Sequence, residues 1–129
     1  MSQRKILVVD DECHIVQVVA IKLRNNGFEV LTADNGADAY RLACEHAPDM
    51  VITDYQMPIL SGLELIEKLR QNPDTEAIPV VMLTARNFSI DDDQKARLAI
   101  ADCLSKPFSP REVLHTVQTV LNQTTAQSR

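Results

Sequence analysis

The feature that most limits the fold is a repeated exchange between two hydrophobic periods. Short runs of strand character occupy Lys5–Val9, Phe28–Thr32, Met50–Thr53, Val80–Leu83 and Asp102–Leu104. The first, third and fourth are nearly unbroken apolar residues, the pattern of strands covered on both faces. Between the runs the period lengthens to that of an amphipathic helix. Val16, Val19, Ala20 and Leu23 stand at i, i+3, i+4 and i+7, and Gly27 suits the stop. Ala39, Leu42 and Ala43 mark a second helix that ends before Pro48, and Leu65, Ile66 and Leu69 mark a third. The third opens with Ser61-Gly62-Leu63-Glu64, which has capping-box spacing. A fourth is expected over about Asp91–Ala99. The fifth opens at Ser109-Pro110-Arg111-Glu112, a capping box with proline at the first helical position. Its stripe is Val113, Leu114, Val117, Val120 and Leu121. Five strand–helix units with short connections predict an α/β fold with a parallel sheet, right-handed crossovers and helices on both faces.

A length of 129 residues fits one domain, and 45% apolar with 24% charged residues is a globular composition. A net charge of -5 without a basic tract argues against direct nucleic-acid binding. No apolar run approaches the ~20 residues of a membrane span. The start, MSQRKILVVDDE, lacks the apolar stretch of a signal peptide. Cys13, Cys44 and Cys103 are far apart and odd in number, which predicts reduced thiols in a cytoplasmic protein. Each is expected as a small buried hydrophobe. Asn122–Arg129 is polar and reads as a frayed tail or linker stub.

In a doubly wound sheet, ligands sit beyond the carboxyl ends of the strands. Asp10, Asp11 and Glu12 follow the first strand and Asp54 the third; Thr84 and Ala85 follow the fourth, and Lys106 and Pro107 the fifth. The second ends at Ala33-Asp34-Asn35-Gly36, which reads as a turn and cap. Two carboxylates ~5 Å apart at an effective dielectric of ~20 repel by roughly 3 kcal/mol, so something cationic must make such a cluster worth keeping. Asp10, Asp11 and Asp54 form a hard oxygen-rich set suited to Mg²⁺, or Mn²⁺. Lys106 adds a fixed positive charge and Thr84 a hydroxyl. Together they are the parts needed for phosphoryl transfer to a carboxylate. Taken singly, the acids read as helix caps, the Asp54 loop as a turn, Thr84 as a hydroxyl on nearby backbone and Lys106 as a solvated lysine. Their joint placement at carboxyl strand ends is far more specific.

These residues resemble the receiver domain of bacterial two-component response regulators. The resemblance covers about residues 4–122 and rests on VVDDE (8–12), DYQMPILSG (54–62), LTA (83–85) and SKPF (105–108). It implies a doubly wound, flavodoxin-like (βα)5 sandwich of strand order 2-1-3-4-5, with 123–129 as a tail. It implies that Asp54 accepts a phosphoryl group from a phosphohistidine on a sensor histidine kinase or histidine phosphotransfer protein. Asp11, Asp54 and the main-chain carbonyl of Gln56 would bind Mg²⁺ directly, and Asp10 through water. Thr84 would bond a phosphoryl oxygen and move. Lys106 would pair with the phosphoryl group, with the bond to Pro107 cis, and Ala85 would keep access open. Glu12 reads as first-turn helix support and supporting charge, not a ligand. Such a domain is no conventional enzyme, although it promotes its own phosphorylation and dephosphorylation. It would switch a surface for a downstream protein, with a homodimer through the fourth helix, fifth strand and fifth helix as one arrangement, and without direct contact to nucleic acid or membrane.

The chain departs from the family at Cys103, where an aromatic residue is usual, and at Ala99-Ile100, where Gly-Ala is usual. Gln56 and Arg86 stand at variable positions that tune acyl-phosphate lifetime in the family. His14, His46 and His115 read as surface or partly packed histidines, and Asp91, Asp92 and Asp93 as acids at a helix N-terminus. Tyr40, Tyr55, Phe28 and Phe108 read as core or site-lining residues; Phe88 falls in the loop after Thr84. A haloacid-dehalogenase-type Mg²⁺-dependent phosphatase shares the Asp, Thr and Lys but wants Asp-x-Asp after the first strand. A flavodoxin-like carrier wants a Ser/Thr/Gly phosphate loop where this chain has acids.

Overall fold

A computed structural model describes residues 4–55, 60–84, 92–106 and 108–127, the side chains at 92, 94 and 123–127 excepted. The chain alternates β1 (Lys5–Val9), α1 (Cys13–Arg24), β2 (Glu29–Ala33), α2 (Gly36–His46), β3 (Met50–Asp54), α3 (Gly62–Gln71), β4 (Val80–Thr84), α4 (Asp92–Leu98), β5 (Ile100–Ser105) and α5 (Pro110–Gln127). The five strands form one parallel sheet of order β2-β1-β3-β4-β5. Strand parity divides the core. Ile6, Val8, Ile52, Val81 and Leu83 face α1 and α5, whereas Leu7, Val9, Val51, Val80 and Met82 face α2, α3 and α4. Every residue of β3 and β4 is buried, as their unbroken apolar runs require.

The expected caps form. Ser61 Oγ accepts from Glu64 N at 3.2 Å while Ser61 N donates to Glu64 Oε1 at 3.1 Å. Ser109 and Glu112 repeat the exchange at 3.2 and 3.3 Å. Asn35 Oδ1 accepts from Asp38 N at 2.8 Å, so the turn after β2 ends in the cap expected there. Each such cap contributes about 1 kcal/mol.

Several boundaries differ from expectation. β3 and β4 each run one residue further, to Asp54 and Thr84, because the backbone continues the ladder beneath polar side chains: Asp54 pairs Leu83, and Thr84 pairs Ser105. β2 begins at Glu29, since Phe28 N is drawn back to Leu23 O at 3.1 Å in the turn. β5 begins at Ile100, and its register shifts so that Val80 pairs Ile100 while Val81 pairs Asp102. The extra residue, Ala101, hid the strand's start from an alternation count. α5 continues to Gln127, through the polar segment expected to fray.

Cys13 and Cys44 are exposed and Cys103 is half-buried, so the expectation of three buried thiols is corrected. Cys13 is the first residue of α1, and Cys44 follows buried Ala43 around the outer face of α2. The three histidines are exposed. Phe28, Tyr40, Tyr55 and Phe108 are partly buried against the two cores. Asp93 is exposed, and Asp91 and Phe88 lie outside the described residues. Among the described residues no helix is long and apolar enough to cross a membrane.

Candidate functional site

Asp10 follows β1 directly, and its N–H extends the ladder to Ala33 O at 3.2 Å. That places its carboxyl beneath the surface, at 0% exposure. Oδ1 accepts from Glu12 N at 2.9 Å. Asp54, the last residue of β3, is 7% exposed. Thr53 Oγ1 donates to the Asp54 carbonyl at 3.1 Å, and Tyr55 N donates to Leu83 O at 2.9 Å. The acceptor candidate therefore stands on a backbone held from both sides.

Lys106 arrives from the far edge of the sheet. Its N–H bonds Thr84 O at 2.8 Å, which ties the end of β5 to the end of β4. Its ammonium reaches Glu12 Oε1 at 3.2 Å, Asp10 Oδ2 at 3.0 Å and Asp54 Oδ1 at 3.4 Å. The contact to Asp10 Oδ2 is an ion pair. Among the described residues that buried oxygen has no hydrogen-bond donor. Thr84 Oγ1, 2% exposed as a residue, donates to Leu104 O over a long 3.4 Å.

Lys106 is the cation the acid cluster called for. Burial pushes the Asp54 carboxyl up to about 6; the charge of Asp10 adds to this, and Lys106 opposes it. Burial likewise raises Asp10, against the Glu12 N–H and Lys106. For Lys106, burial works against the charge, but Asp10, Asp54 and Glu12 outweigh it and hold the ammonium above its ordinary range. One lysine among four carboxylates leaves a net negative site built wholly of oxygen donors, the chemistry of a hard divalent cation.

The grouping of the acids differs in one respect from the sequence expectation. Oxygens of Asp10, Asp11 and Glu12 lie within 4.8 Å of one another. Asp54 is joined to this group through Lys106. Glu12 is the N-cap of α1 without a side-chain cap bond; its carboxylate faces His14 of the first turn through Oε2 at 3.6 Å and also reaches Lys106 through Oε1 at 3.2 Å. No local signal could reveal the contact to Lys106, because the partners are 94 residues apart. Gln56, Ala85, Arg86 and Pro107 lie outside the described residues. Cys103 pairs Met82 in register and packs on the α3 and α4 side of the sheet. Burial pushes its thiol up, against the charge of Lys95. A cleft of about 400 Å³, lined by Asp10, Cys13, Asp34, Asp38 and Arg41 among others, opens beside the acid centre without touching Asp54, Thr84 or Lys106.

The sequence profile of the response regulator receiver domain matches residues 6–118. The phosphate regulon transcriptional regulatory protein PhoB of Pseudomonas aeruginosa is 36% identical over 124 residues, covering 96% of this chain and 54% of PhoB. The alkaline phosphatase synthesis transcriptional regulatory protein PhoP of Bacillus subtilis is 38% identical over 120 residues, covering 93% of this chain and 49% of PhoP. The chain thus spans about half the length of the curated relatives it matches. Among solved structures, the chemotaxis response regulator CheY4 of Vibrio cholerae superposes with a TM-score of 0.85 at 32% identity, covering 92% of this chain and 99% of that one. The receiver domain of sensor histidine kinase PA1611 from Pseudomonas aeruginosa, solved with magnesium coordinated in its active-site cleft, gives a TM-score of 0.83 at 26% identity, covering 94% and 99%. Profile, relatives and fold agree over nearly the whole length, and the chain belongs to the response regulator receiver domain family of two-component signalling.

Proposed function

We propose that Asp54 is the phosphoacceptor, taking its phosphoryl group from a phosphohistidine on a sensor histidine kinase or histidine phosphotransfer protein, with Mg²⁺ or Mn²⁺ as cofactor. The observation that carries this reading is the ammonium of Lys106 set between two buried carboxylates, Asp10 at 3.0 Å and Asp54 at 3.4 Å. A lysine so placed neutralises the acids at rest and can turn to a phosphoryl oxygen when one arrives.

The donor set fits a hard cation: Asp10 holds a buried oxygen without a hydrogen-bond partner among the described residues, and Asp11 beside it is exposed. Asp10, Asp11 and Asp54 would hold the ion, with the Gln56 carbonyl as the family suggests. When bound, it supplies positive charge that screens the acids from the incoming phosphoryl oxygens. The chain does the rest. An Asp54 carboxylate oxygen attacks phosphorus, the P–N bond of the phosphohistidine breaks, and its electron pair stays on the imidazole nitrogen. Asp54 must be ionised for this, and a carboxyl pushed up to about 6 is ionised at neutral pH. Lys106 follows the charge from the carboxylate to the phosphoryl group. Thr84 exchanges its long bond to Leu104 O for a phosphoryl oxygen, which would carry the change to β5 and, more weakly, to the rest of the α4, β5 and α5 surface. That surface would bind a downstream protein or a second copy. The free thiols fit a cytoplasmic setting.

The test is intact mass after incubation with acetyl phosphate. With Mg²⁺ the chain should gain one labile phosphoryl group, and with chelator none. Equal labelling in chelator removes the metal from the reading, and steady hydrolysis of the donor without a labelled protein species favours a phosphatase.

A further inference from the structure

Two glycines open helices that the chemistry above does not use, one against the Asp54 backbone and the other against Leu60. Gly62 is the first residue of α3, and a β-carbon there would overlap the Asp54 carbonyl oxygen and stand 3.1 Å from Tyr55 Cα and 3.1 Å from Met82 Sδ. Gly36 is the first residue of α2, and a β-carbon there would stand 2.6 Å from Leu60 O and 2.8 Å from Leu60 Cβ. Neither has a positive φ, so close approach and not backbone conformation calls for glycine. Met82 could swing its sulfur aside; the Asp54 backbone could not. Its carbonyl is held by Thr53 Oγ1 at 3.1 Å, and the next residue is tied to β4 through Leu83 O at 2.9 Å and to Gly62 N at 2.9 Å.

We propose that Gly62, with Gly36 behind it, is a positioning residue for phosphoryl transfer: the two missing β-carbons let α3 seat on Asp54 and α2 on Leu60, which fixes the acceptor carboxylate against Lys106. This rests on Asp54 as acceptor. A methyl group at Gly62 therefore pushes α3 and the end of β3 apart as units, which alters the 3.4 Å approach of the Asp54 carboxylate to the ammonium. Gly27 provides the contrast. Its φ of +90° makes alanine strained there, yet a β-carbon meets nothing within 4 Å, and it sits in the turn before β2.

The experiment uses the full chain with saturating Mg²⁺ and acetyl phosphate, reads the maximal labelling rate per folded molecule, and maps the label. Displacing the acceptor by roughly 1 Å should slow Gly62→Ala by ~10–100-fold and Gly36→Ala by ~3–10-fold. More donor or more Mg²⁺ should not restore either. Trimethylamine N-oxide, which favours the folded state, should restore total labelling in Gly27→Ala and leave Gly62→Ala slow. A Gly62→Ala rate within about twofold of wild type, per folded molecule, overturns the positioning role; if that variant does not fold, Gly36→Ala decides by the same criterion. Wild-type label mapped away from Asp54 overturns the acceptor reading and this proposal with it. Label at Asp54 without a glycine effect overturns this proposal alone.

Discussion

The centre of the sheet and its β5 edge are built to different standards. At the centre, β1, β3 and β4 keep regular register through their pairings, and β3 and β4 are buried at every position. At the edge, β5 is largely half-exposed, its register slips beside Val80, and the helix before it has only seven residues. What secures that corner is Arg70 of α3, whose guanidinium bonds the carbonyls of Ile78 at 2.7 Å, Leu98 at 2.8 Å, Glu76 at 2.9 Å and Ala99 at 3.2 Å. The acids stand on the rigid part. Thr84 and Lys106 stand where the rigid part meets the loose one. A phosphoryl group added at Asp54 would therefore change partners for groups that the looser edge can follow.

The largest test of this contrast is mechanical. Ile52→Ala at the fully buried centre should cost about 2–5 kcal/mol in denaturant unfolding. Leu104→Ala on half-buried β5 should cost only ~1–2 kcal/mol, because a half-exposed side chain loses less buried area and leaves no sealed cavity. Equal losses would erase the distinction.

Charge at the centre gives the next effect. Asp54 rises from 3.8 to about 6 on folding, so the native state holds that proton longer than the unfolded chain does. Stability in chelator should then fall as pH climbs through that window, by up to about 3 kcal/mol from this group. Asp10 is shifted the same way, so Asp54→Asn removes only its own share; the variant should be the more stable protein at pH 7.5 and lose its advantage near pH 4. Denaturant midpoints across pH read it directly. A flat difference between the two proteins would show that burial and the charge of Asp10 do not raise the Asp54 carboxyl.

Metal should relieve the same strain. At ten times its dissociation constant, Mg²⁺ adds about 1.4 kcal/mol to a native state that alone binds it. Asp11→Ala should lose that gain and be slightly more stable in chelator. An unchanged Mg²⁺ effect would remove Asp11 from the ligands.

The smallest effect concerns the edge. Cys103 lacks the ring usual at its position in the family, so it fills little space if Thr84 moves. Amide shifts on adding beryllofluoride with Mg²⁺ should be large at Thr84 and Lys106 and small along Pro110–Leu121. Cys103→Tyr should enlarge the latter. Large α5 shifts in wild type, with nothing added by tyrosine, would show that position 103 is not the relay.

The same contrast explains what could be read from the chain beforehand. Apolar periods carry strand and helix identity well where both faces are buried, so β1, β3, β4 and the stripes of α1, α3 and α5 were legible. They fail where a polar side chain rides on strand backbone, as at Asp54 and Thr84, and where an extra residue breaks alternation, as at Ala101. Strand ends exposed Asp10, Asp54, Thr84 and Lys106 as a set, because topology alone brings carboxyl ends together. The turn of Glu12 toward Lys106 and the grip of Arg70 on the α4–β5 corner depend on contacts between distant segments, and no local spacing encodes those. Solvent exposure of Cys13 and Cys44 was hidden for a simpler reason: cysteine packs like a small hydrophobe wherever a helix happens to bury it, and these two sit on outward faces.

The most direct measurement is the position of the phosphoryl group. After acetyl phosphate and Mg²⁺, peptide mapping of the labelled wild-type chain should place one acyl phosphate on Asp54, and Asp54→Asn should remain folded and unlabelled. A fully labelled Asn variant, or a label on any other residue of the wild type, would contradict the account.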